Sequence, residues 1–211
     1  MDACLVDAYG TIVDAEFGAR SRELAEMAGV AADEWRDAYA RLDPALGVGH
    51  LTRAEAYELL LRTCGVKPRV SLVRDLAARD RELLLSSGYV FEDTMPFLES
   101  LRSRGIAIAI VSNCGEFTPE LLTSLGVAAF ADTLVLSFEV GYAKPAPRIY
   151  RLALERLGVA AESALFVDDQ PVFCAGAEAV GVTAVQIARG DRVPGKVATS
   201  VRSLLEVAEL L

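Results

Sequence analysis

The chain has 211 residues, of which 53% are hydrophobic, and it carries a formal net charge of −9 at pH 7. This composition excludes a disordered chain, and the length predicts one large domain or a core with an inserted subdomain. An acidic surface repels nucleic acid phosphates and anionic lipid, so we expect neither as a partner, although a local basic pocket can still attract an anionic small molecule.

The four cysteines lie far apart in the sequence and form no CxxC pair. Such spacing is typical of reduced thiols, which favours a cytoplasmic protein. Asp7 interrupts the apolar start, unlike in a signal peptide, and the chain lacks the run of about 18 apolar residues that predicts a membrane span. We therefore expect a cytoplasmic monomer or homodimer that acts on a small molecule.

Five short apolar runs predict buried β-strands. In chain order they are ACLV (3–6), IAIAIV (106–111), TLVLS (133–137), ALFV (164–167) and TAVQI (183–187). Continuous apolar runs of this length are typical of parallel strands that are buried on both faces. Helical patterns separate the later runs, so the sequence predicts a doubly wound α/β sheet.

Two helix starts are recognisable from their capping residues. Thr118, Pro119 and Glu120 indicate an N-cap, a proline at the first helical position and an acidic first turn. Thr52 and Glu55 have the spacing of a capping box. The first start belongs to a helix between two predicted strands, and the second lies in a region without strands.

Residues 15–88 interrupt the alternation, because their patterns are helical only, with Trp35 and Tyr39 on one apolar face. The sequence thus predicts an all-helical insertion at 15–88 within a sheet domain made of 1–14 and 89–211. An insertion directly after a strand that carries a candidate catalytic carboxylate would cover the site as a lid.

Ionisable side chains follow three of the predicted strands, at the edge where open α/β sheets bind ligands. Asp7 follows the first strand, Lys144 lies in the loop after the third, and Asp168 and Asp169 follow the fourth. Three carboxylates at one edge repel one another unless a cation lies between them, and hard oxygen ligands near a phosphate suit Mg²⁺. Lys144 would neutralise a nucleophile and its anionic substrate. As single residues, Asp7 has an alternative as an N-cap or turn residue, and Lys144 can equally be a solvated loop lysine.

Ser112 and Asn113 directly follow the second predicted strand. A hydroxyl and free backbone N–H groups at a strand end form a cradle for a phosphate or an oxyanion, so both residues are candidates for substrate binding. The alternative is a strand-terminating turn that needs polar caps.

Four short motifs occur in order along the chain: DAYGT (7–11), VSN (111–113), AKP (143–145) and FVDDQ (166–170). With a helical insertion after the first motif, this series resembles the haloacid dehalogenase-like hydrolase superfamily over nearly the whole chain. The resemblance implies a Rossmann-like core with a helical cap, and Asp7 as a nucleophile that forms a covalent aspartyl intermediate. It also implies catalytic roles for Thr11, Ser112 and Lys144. Tyr9 is a further catalytic candidate, since a phenol with a reference pKa of about 10 can donate a proton but is poorly matched to accept one from water. An aspartate with a reference pKa of about 3.9 is ionised at pH 7, so Asp7 needs no separate base.

Tyr9 departs from the pattern of the phosphatases that the chain resembles, which carry a second aspartate there as general acid and base. An aromatic residue at this position resembles the 2-haloacid dehalogenase branch instead. The segment EWRDAY (34–39) also resembles the cap segment in which dehalogenases place an arginine, which makes Arg36 a candidate for substrate binding. The alternative for Arg36 is a solvated position on an amphipathic helix.

Asp168 and Asp169 favour a phosphatase, since haloacid dehalogenases resemble one another in having small polar residues there and need no metal. Mg²⁺ bound to Asp7 would blunt an attack on carbon, but it offsets the repulsion between a carboxylate and phosphate oxygens. The resemblance implies the backbone carbonyl of residue 9 as another metal ligand, which Tyr9 supplies as well as an aspartate does. We therefore expect a metal site made of Asp7, Tyr9, Asp168 and Asp169 that lacks the usual acid–base group.

The sequence thus favours a Mg²⁺-dependent phosphatase of a small phosphorylated metabolite, slow with alkyl phosphates and faster with aryl or acyl phosphates. A metal-independent 2-haloacid dehalogenase stays open, as does a binding or regulatory protein with little turnover. Val172 and Phe173 stand where the family often has Asp or Asn, so part of the network that orients Lys144 is missing. The cap residues that would contact a substrate stay open among Phe17, Arg20, Trp35, Arg36, Tyr39 and His50.

Overall fold

The computed structural model describes residues 1–190 and 199–211. Its strands are β1 (Ala3–Val6), β2 (Val13–Asp14), β3 (Tyr89–Val90), β4 (Ala107–Ser112), β5 (Thr133–Leu136), β6 (Ala164–Asp168), β7 (Thr183–Ile187) and β8 (Ser200–Val201). Its α-helices are α1 (Phe17–Ala28), α2 (Ala32–Leu46), α3 (Arg53–Thr63), α4 (Val70–Ser87), α5 (Thr94–Ser103), α6 (Thr118–Ser124), α7 (Ser137–Val140), α8 (Pro147–Leu157), α9 (Pro171–Glu178) and α10 (Leu204–Leu210). Short 3-10 helices cover Val127–Phe130 and Ala161–Ser163.

Six of these strands form a parallel sheet in the order β5-β4-β1-β6-β7-β8. β1 is central, because Leu5 pairs with Ala109 of β4 on one side and with Phe166 of β6 on the other. All residues of β1 are buried, as its apolar run predicts. The five predicted strands are confirmed. The strand order reverses between β1 and β6, which puts the switch point of the sheet where these two strands end.

Helices cover both faces of this sheet. On one face α5 packs through Phe97 and Leu101, and α10 lies in the same layer. On the other face α8 and α9 pack through Ile149 and Cys174. The arrangement confirms the predicted Rossmann-like, doubly wound α/β core.

The helices α1 to α4 lie between β2 and β3, which pair antiparallel through Val13 and Val90. They share an apolar core of their own, whose members include Trp35, Tyr57, Leu60, Leu61 and Leu76. This confirms an all-helical insertion after the first strand, while the exact limits at residues 15 and 88 stay a prediction.

The two predicted helix starts differ in outcome. Thr52 and Glu55 form the expected capping box, with reciprocal hydrogen bonds between side chain and backbone. The predicted cap at Thr118 is wrong, because Thr118 is the first residue of α6 and the preceding Phe117 is the N-cap. The Thr118 hydroxyl is hydrogen-bonded to Tyr9 instead.

The inserted helices contact the sheet domain near the carboxyl ends of its strands. Gly49, in the loop after α2, approaches α7 so closely that a Cβ there would stand 2.0 Å from the carbonyl oxygen of Phe138. Arg81 of α4 forms an ion pair with Glu120 of α6. Within the described residues, no helix combines the length and the apolar character that crossing a membrane requires.

Candidate active site

Asp7 is held at the end of β1 by a tight loop, residues 8–12, which we call the Asp7 loop. The Asp7 N–H donates to the Val167 carbonyl at 2.9 Å, which prolongs the pairing of β1 with β6. The N–H groups of residues 11–13 converge on the Ala8 carbonyl, and Gly10 takes a φ of 76°, which a residue with a side chain rarely adopts. The carboxylate is thereby presented at the switch point of the sheet in a residue that is 5% exposed.

Lys144 lies between two of the predicted carboxylates. Its Nζ is 2.6 Å from Asp7 Oδ1 and 2.6 Å from Asp168 Oδ2. The rings of Phe166 and Phe173 lie with their centroids 5.4 Å and 5.1 Å from the ammonium. Phe173 stands where a polar residue was expected to orient the lysine, and here its ring helps to exclude water from the charge.

Asn113 fixes the backbone that carries this lysine. Its Nδ2 donates to the Lys144 carbonyl at 2.9 Å, and its Oδ1 accepts from the Lys144 N–H at 2.7 Å. The sequence predicts substrate binding by Asn113, but both of its polar side-chain groups are engaged with this backbone. Asn113 therefore links the end of β4 to the loop before α8 through two hydrogen bonds.

The three predicted carboxylates meet, since oxygen atoms of Asp7, Asp168 and Asp169 lie within 4.8 Å of one another in buried positions. Asp168 Oδ1 accepts from the Gln170 N–H at 2.7 Å, and the Asp169 carbonyl accepts from Gln186 at 3.0 Å. Three buried carboxylates beside the Lys144 ammonium have a negative charge in excess. An all-oxygen, anionic donor set of this kind fits Mg²⁺.

Burial is the largest influence on the pKa values of Asp7 and Asp168. Removal from water raises the pKa of Asp7 to about 7, against the attraction of Lys144 and with a further rise from the repulsion of Asp168. Burial also raises the pKa of Asp168, again against the attraction of Lys144. Burial alone would lower the pKa of Lys144, but the two carboxylates raise it. Burial thus raises the pKa of Asp7 above the ordinary value expected from the sequence, and a further cation beside it would favour the ionised carboxylate.

Two buried hydroxyls beside these acids lack partners. Thr11 Oγ1 and Ser112 Oγ have no hydrogen bond to an oxygen or nitrogen atom of the described residues. Leaving a buried polar group unpaired costs about 1–3 kcal/mol. Thr11 lies in the Asp7 loop and Ser112 ends β4, so oxygen atoms of a ligand at this edge of the sheet would satisfy both.

The Tyr9 side chain is committed to contacts on the cavity side of the loop. Its hydroxyl is 3.0 Å from Thr118 Oγ1, and its ring meets the Phe17 ring edge-on at 5.2 Å. Burial raises the pKa of Tyr9 to about 12, so the phenol stays protonated at neutral pH and cannot serve as a base. The N–H groups of residues 11–13 bond to Ala8 rather than to the Tyr9 carbonyl, the group that the resemblance implies as a metal ligand.

A network that the sequence does not indicate holds the Asp7 loop from behind. Arg189, after β7, donates from Nε and Nη2 to the Thr11 carbonyl at 3.0 Å and 2.5 Å. The same guanidinium donates to both carboxylate oxygens of Asp93, at 3.2 Å and 2.8 Å. Asp93 also accepts from the Ser203 hydroxyl and the Leu204 N–H at the start of α10. Partners so distant in sequence leave no local pattern.

A cavity of about 400 Å³ lies against the Asp7 loop and the segment after β4. The sheet domain contributes Tyr9, Asn113, Cys114, Gly115 and Phe117 to its lining, and the inserted helices contribute Phe17, Arg20, Tyr39 and Arg53. Three of these helical residues are among the candidates from the sequence, and Arg53 is not. The sequence signal that could have indicated Arg53 is its position directly after the capping Thr52, because the capping box places Arg53 at the start of a helix.

Arg36 is not brought to this cavity, and its role in substrate binding stays a prediction. Its side chain is 70% exposed and lies 3.8 Å from Asp37. Trp35 next to it points into the core of the inserted helices, so helical periodicity turns Arg36 outward. His50 is exposed in the loop before α3 and also lies outside the cavity lining.

Comparison with known proteins gives the same family from sequence and from structure. The profile described as haloacid dehalogenase-like hydrolase matches residues 1–181. The chain is 32% identical over 167 residues to a glyceraldehyde 3-phosphate phosphatase of Methanopyrus kandleri, covering 74% of this chain and 72% of that protein. It is 29% identical over 209 residues to (S)-2-haloacid dehalogenase 4A of Burkholderia cepacia, covering 91% and 85%. A solved HAD phosphatase from Thermococcus onnurineus superposes with a TM-score of 0.72 at 26% identity, covering 100% of this chain and 97% of the other.

Proposed function

We propose that this chain, which belongs to the haloacid dehalogenase-like hydrolase family, is a Mg²⁺-dependent phosphatase of a small phosphorylated metabolite. The observation that carries the proposal is the cluster of three buried carboxylates around the Lys144 ammonium. Phosphoryl transfer gains from a divalent cation on its nucleophile, whereas displacement of a halide from carbon does not. We also propose a cytoplasmic location, because all four cysteines are free.

In the proposed reaction Asp7 attacks the phosphorus atom, the bond from phosphorus to the leaving-group oxygen breaks, and an aspartyl phosphate forms. Lys144 stays beside the attacking carboxylate and offsets negative charge on the phosphate. The hydroxyls of Thr11 and Ser112 donate to phosphate oxygens, which supplies the partners that they lack. A water molecule then attacks the phosphorus atom, and the bond from phosphorus to the Asp7 oxygen breaks. Asp7 returns as a carboxylate, and inorganic phosphate leaves with the oxygen of that water, whose proton passes to the phosphate or to solvent.

Asp7, Asp168, Asp169 and the Tyr9 carbonyl would hold the Mg²⁺, which supplies positive charge between the carboxylate and the phosphate when it is bound. The protein's own part is to keep these oxygen atoms together in a buried site, where the pKa of Asp7 is otherwise raised. The ring of Tyr9 replaces the usual proton-transfer group. Leaving groups that depart without a proton, such as aryl and acyl phosphates, should therefore react faster than alkyl phosphates.

A second candidate function is 2-haloacid dehalogenation without a metal, through an ester on Asp7. Two observations favour it: the aromatic residue at position 9 and the Burkholderia cepacia dehalogenase, which matches 91% of this chain. The acidic pair Asp168 and Asp169 speaks against it, because two further carboxylates beside a nucleophile are useful only with a cation.

Assays with p-nitrophenyl phosphate and with 2-chloropropionate, each in Mg²⁺ and in EDTA, test the proposal. A phosphatase releases phosphate only when Mg²⁺ is present and releases no chloride. Release of chloride that EDTA does not inhibit would establish the dehalogenase, and the absence of both products would leave a binding or regulatory protein.

A matched pair of variants sharpens this test. Asp169→Asn removes one proposed metal ligand and should abolish most of the Mg²⁺-dependent rate. Asp75→Asn makes the same change at an exposed position of α4 and should leave the rate unchanged.

A further inference from the structure

Arg53 is a buried arginine that lines the cavity beside the Asp7 loop from the first position of α3. The capping box of Thr52 and Glu55 fixes the turn that carries it. The guanidinium Cζ lies 6.0 Å from the ring centroid of Tyr39 and 5.6 Å from that of Phe117, and Nη1 donates to the Tyr39 hydroxyl at 2.6 Å. The Arg53 side chain is 6% exposed, so its charge is largely removed from water.

A second arginine and one carboxylate complete this cluster. Asp80 of α4 accepts from Arg20 Nε at 2.5 Å through Oδ1, and its Oδ2 is 3.4 Å from Arg53 Nε. The second contact is an ion pair without a hydrogen bond, since Arg53 Nε and Asp80 Oδ2 both lack a hydrogen-bond partner in the described part of the chain. Two guanidiniums, that of the buried Arg53 and that of the partly buried Arg20, therefore share one buried carboxylate, which leaves one positive charge in excess. Asp43 also lines the cavity, but it is exposed to water, which screens its charge.

Gly115 joins this cluster to the segment that follows β4. It lies three residues beyond Ser112, and a Cβ on it would stand 2.6 Å from Arg53 Nη2. Within residues 1–190 and 199–211, the Arg53 guanidinium hydrogen-bonds through Nη1 to Tyr39, and Nη2 has no acceptor. A cationic group with unused N–H donors thus borders the cavity that also touches Tyr9 and Asn113.

We propose that the cluster of Arg20, Arg53 and Asp80 binds a carboxylate on the leaving group of the substrate. This inference rests on the proposed phosphatase function, which places the phosphoryl group at Asp7. It assigns the leaving group to the cavity because that cavity borders the Asp7 loop at Tyr9 and the segment after Ser112 at Asn113. A carboxylate carries one negative charge, which equals the excess of the cluster, and its two oxygen atoms match the donors of a guanidinium. A second phosphate group brings a charge of about −1.5 to −2, more than the cluster offsets. An amine, which is a cation at neutral pH, would be repelled by the two guanidiniums.

A pair of aryl phosphates that differ in charge tests the proposal: 4-carboxyphenyl phosphate and 4-carbamoylphenyl phosphate. The ratio of their kcat/KM values is measured with Mg²⁺ for the wild type and for variants, because the intrinsic difference in leaving-group reactivity cancels when ratios are compared. Arg53→Gln should lower the ratio of the charged to the neutral substrate by about tenfold to a hundredfold, the effect of one hydrogen-bonded charge pair. Arg74→Gln removes the same charge at an exposed position of α4 and should leave the ratio unchanged.

Gly115→Ala is a second variant in case Arg53→Gln does not fold. Its Cβ displaces the Arg53 guanidinium, while both arginines and Asp80 are kept. We expect the ratio to fall in this variant as well. Equal ratios in the wild type, Arg53→Gln and Gly115→Ala would overturn the proposal.

A binding measurement distinguishes two negative results: that the protein is not a phosphatase, and that the cluster does not bind a carboxylate. Calorimetric titration with 4-carboxybenzylphosphonate and 4-carbamoylbenzylphosphonate in Mg²⁺ needs no turnover. If the wild type binds the carboxylate form more tightly than the carbamoyl form and Gly115→Ala loses this difference, the cluster binds a carboxylate, even in a protein without phosphatase activity. Equal affinity of the wild type for the two phosphonates overturns it.

Discussion

The ammonium of Lys144 lies 2.6 Å from the carboxylate of Asp7, and both side chains are almost completely excluded from water. The same ammonium is 2.6 Å from Asp168, and Asp169 adds a third buried carboxylate to the group. One lysine therefore compensates part of the negative charge that three aspartates bring. The stability of the metal-free protein depends on this lysine and on any cation that joins it.

Lys144→Met should lower the free energy of unfolding in EDTA at pH 8 by about 3–5 kcal/mol, because it leaves buried carboxylates without their partner. Mg²⁺ should restore part of this loss. Urea denaturation with and without Mg²⁺ measures both effects. Lys67→Met removes an equal charge at an exposed site and should change the free energy of unfolding by less than about 0.5 kcal/mol. Equal losses in the two variants would contradict the charge compensation.

Tyr9→Asp should raise kcat for alkyl phosphates by about 10²-fold, since a positioned general acid–base contributes about 10²–10⁴-fold. The gain for p-nitrophenyl phosphate should be smaller, because that leaving group departs without a proton. Steady-state kinetics on the two ester classes provide the comparison. Tyr9→Phe keeps the ring against Phe17 and adds no acid, so it should not accelerate either class. A Tyr9→Asp enzyme that is no faster on any ester would refute this role for position 9.

Mg²⁺ should stabilise the protein more at high pH than at low pH. The pKa values of Asp7, at about 7, and of Asp168 are raised by burial above the unfolded value of about 3.9. Their contribution to stability is therefore complete below about pH 4, and the part that Asp7 supplies is lost as the pH rises through about 7. Melting temperatures in EDTA should fall over this range, and the increase caused by Mg²⁺ should be larger at about pH 8 than at about pH 5. Asp7→Asn should flatten the metal-free curve, and a Mg²⁺ effect that does not vary with pH would count against the site.

Asp93 should stabilise the protein at neutral pH and not in acid. Burial alone would raise its pKa, but the hydrogen bonds from Arg189, Ser203 and the Leu204 N–H hold the pKa below its ordinary value. A lowered pKa means that the contribution is present above the unfolded value of about 3.9 and is lost as the pH falls through the folded value.

Thermal melting of Asp93→Asn across this pH range checks the expectation. The variant should melt below the wild type at pH 7, and the difference should shrink below about pH 4. Glu92→Gln is the neighbouring exposed control and should show no such change. A constant difference between Asp93→Asn and the wild type from neutral to acid pH would contradict the hydrogen-bond account.

The sheet and the acidic cluster were predictable because local sequence determines them. A strand buried on both faces must be continuously apolar, and a side chain that follows such a strand must lie at the edge of the sheet. The positions of Asp7, Asp168 and Asp169 follow from that rule alone.

The remainder of the site depends on how distant segments fold together. Arg53 reaches the cavity because α3 lies over the segment after β4, and Arg36 misses it because Trp35 takes the inward position. The pKa of Asp7 depends on burial by the whole fold rather than on its neighbours in sequence. The bonds from Arg189 to Thr11 join residues 178 positions apart, for which no sequence motif exists.

Asn113 pairs with both backbone groups of Lys144 as a residue of an adjacent strand would. The Asn113 side-chain amide therefore fixes the main chain at position 144, and this does not depend on the Lys144 ammonium. Charge and scaffold are separable at this position, so Lys144→Ala should keep its main-chain path and leave a vacant space shaped like an alkylamine. Ethylammonium added from solution should enter that space and partly restore phosphate release, which is chemical rescue of the missing side chain.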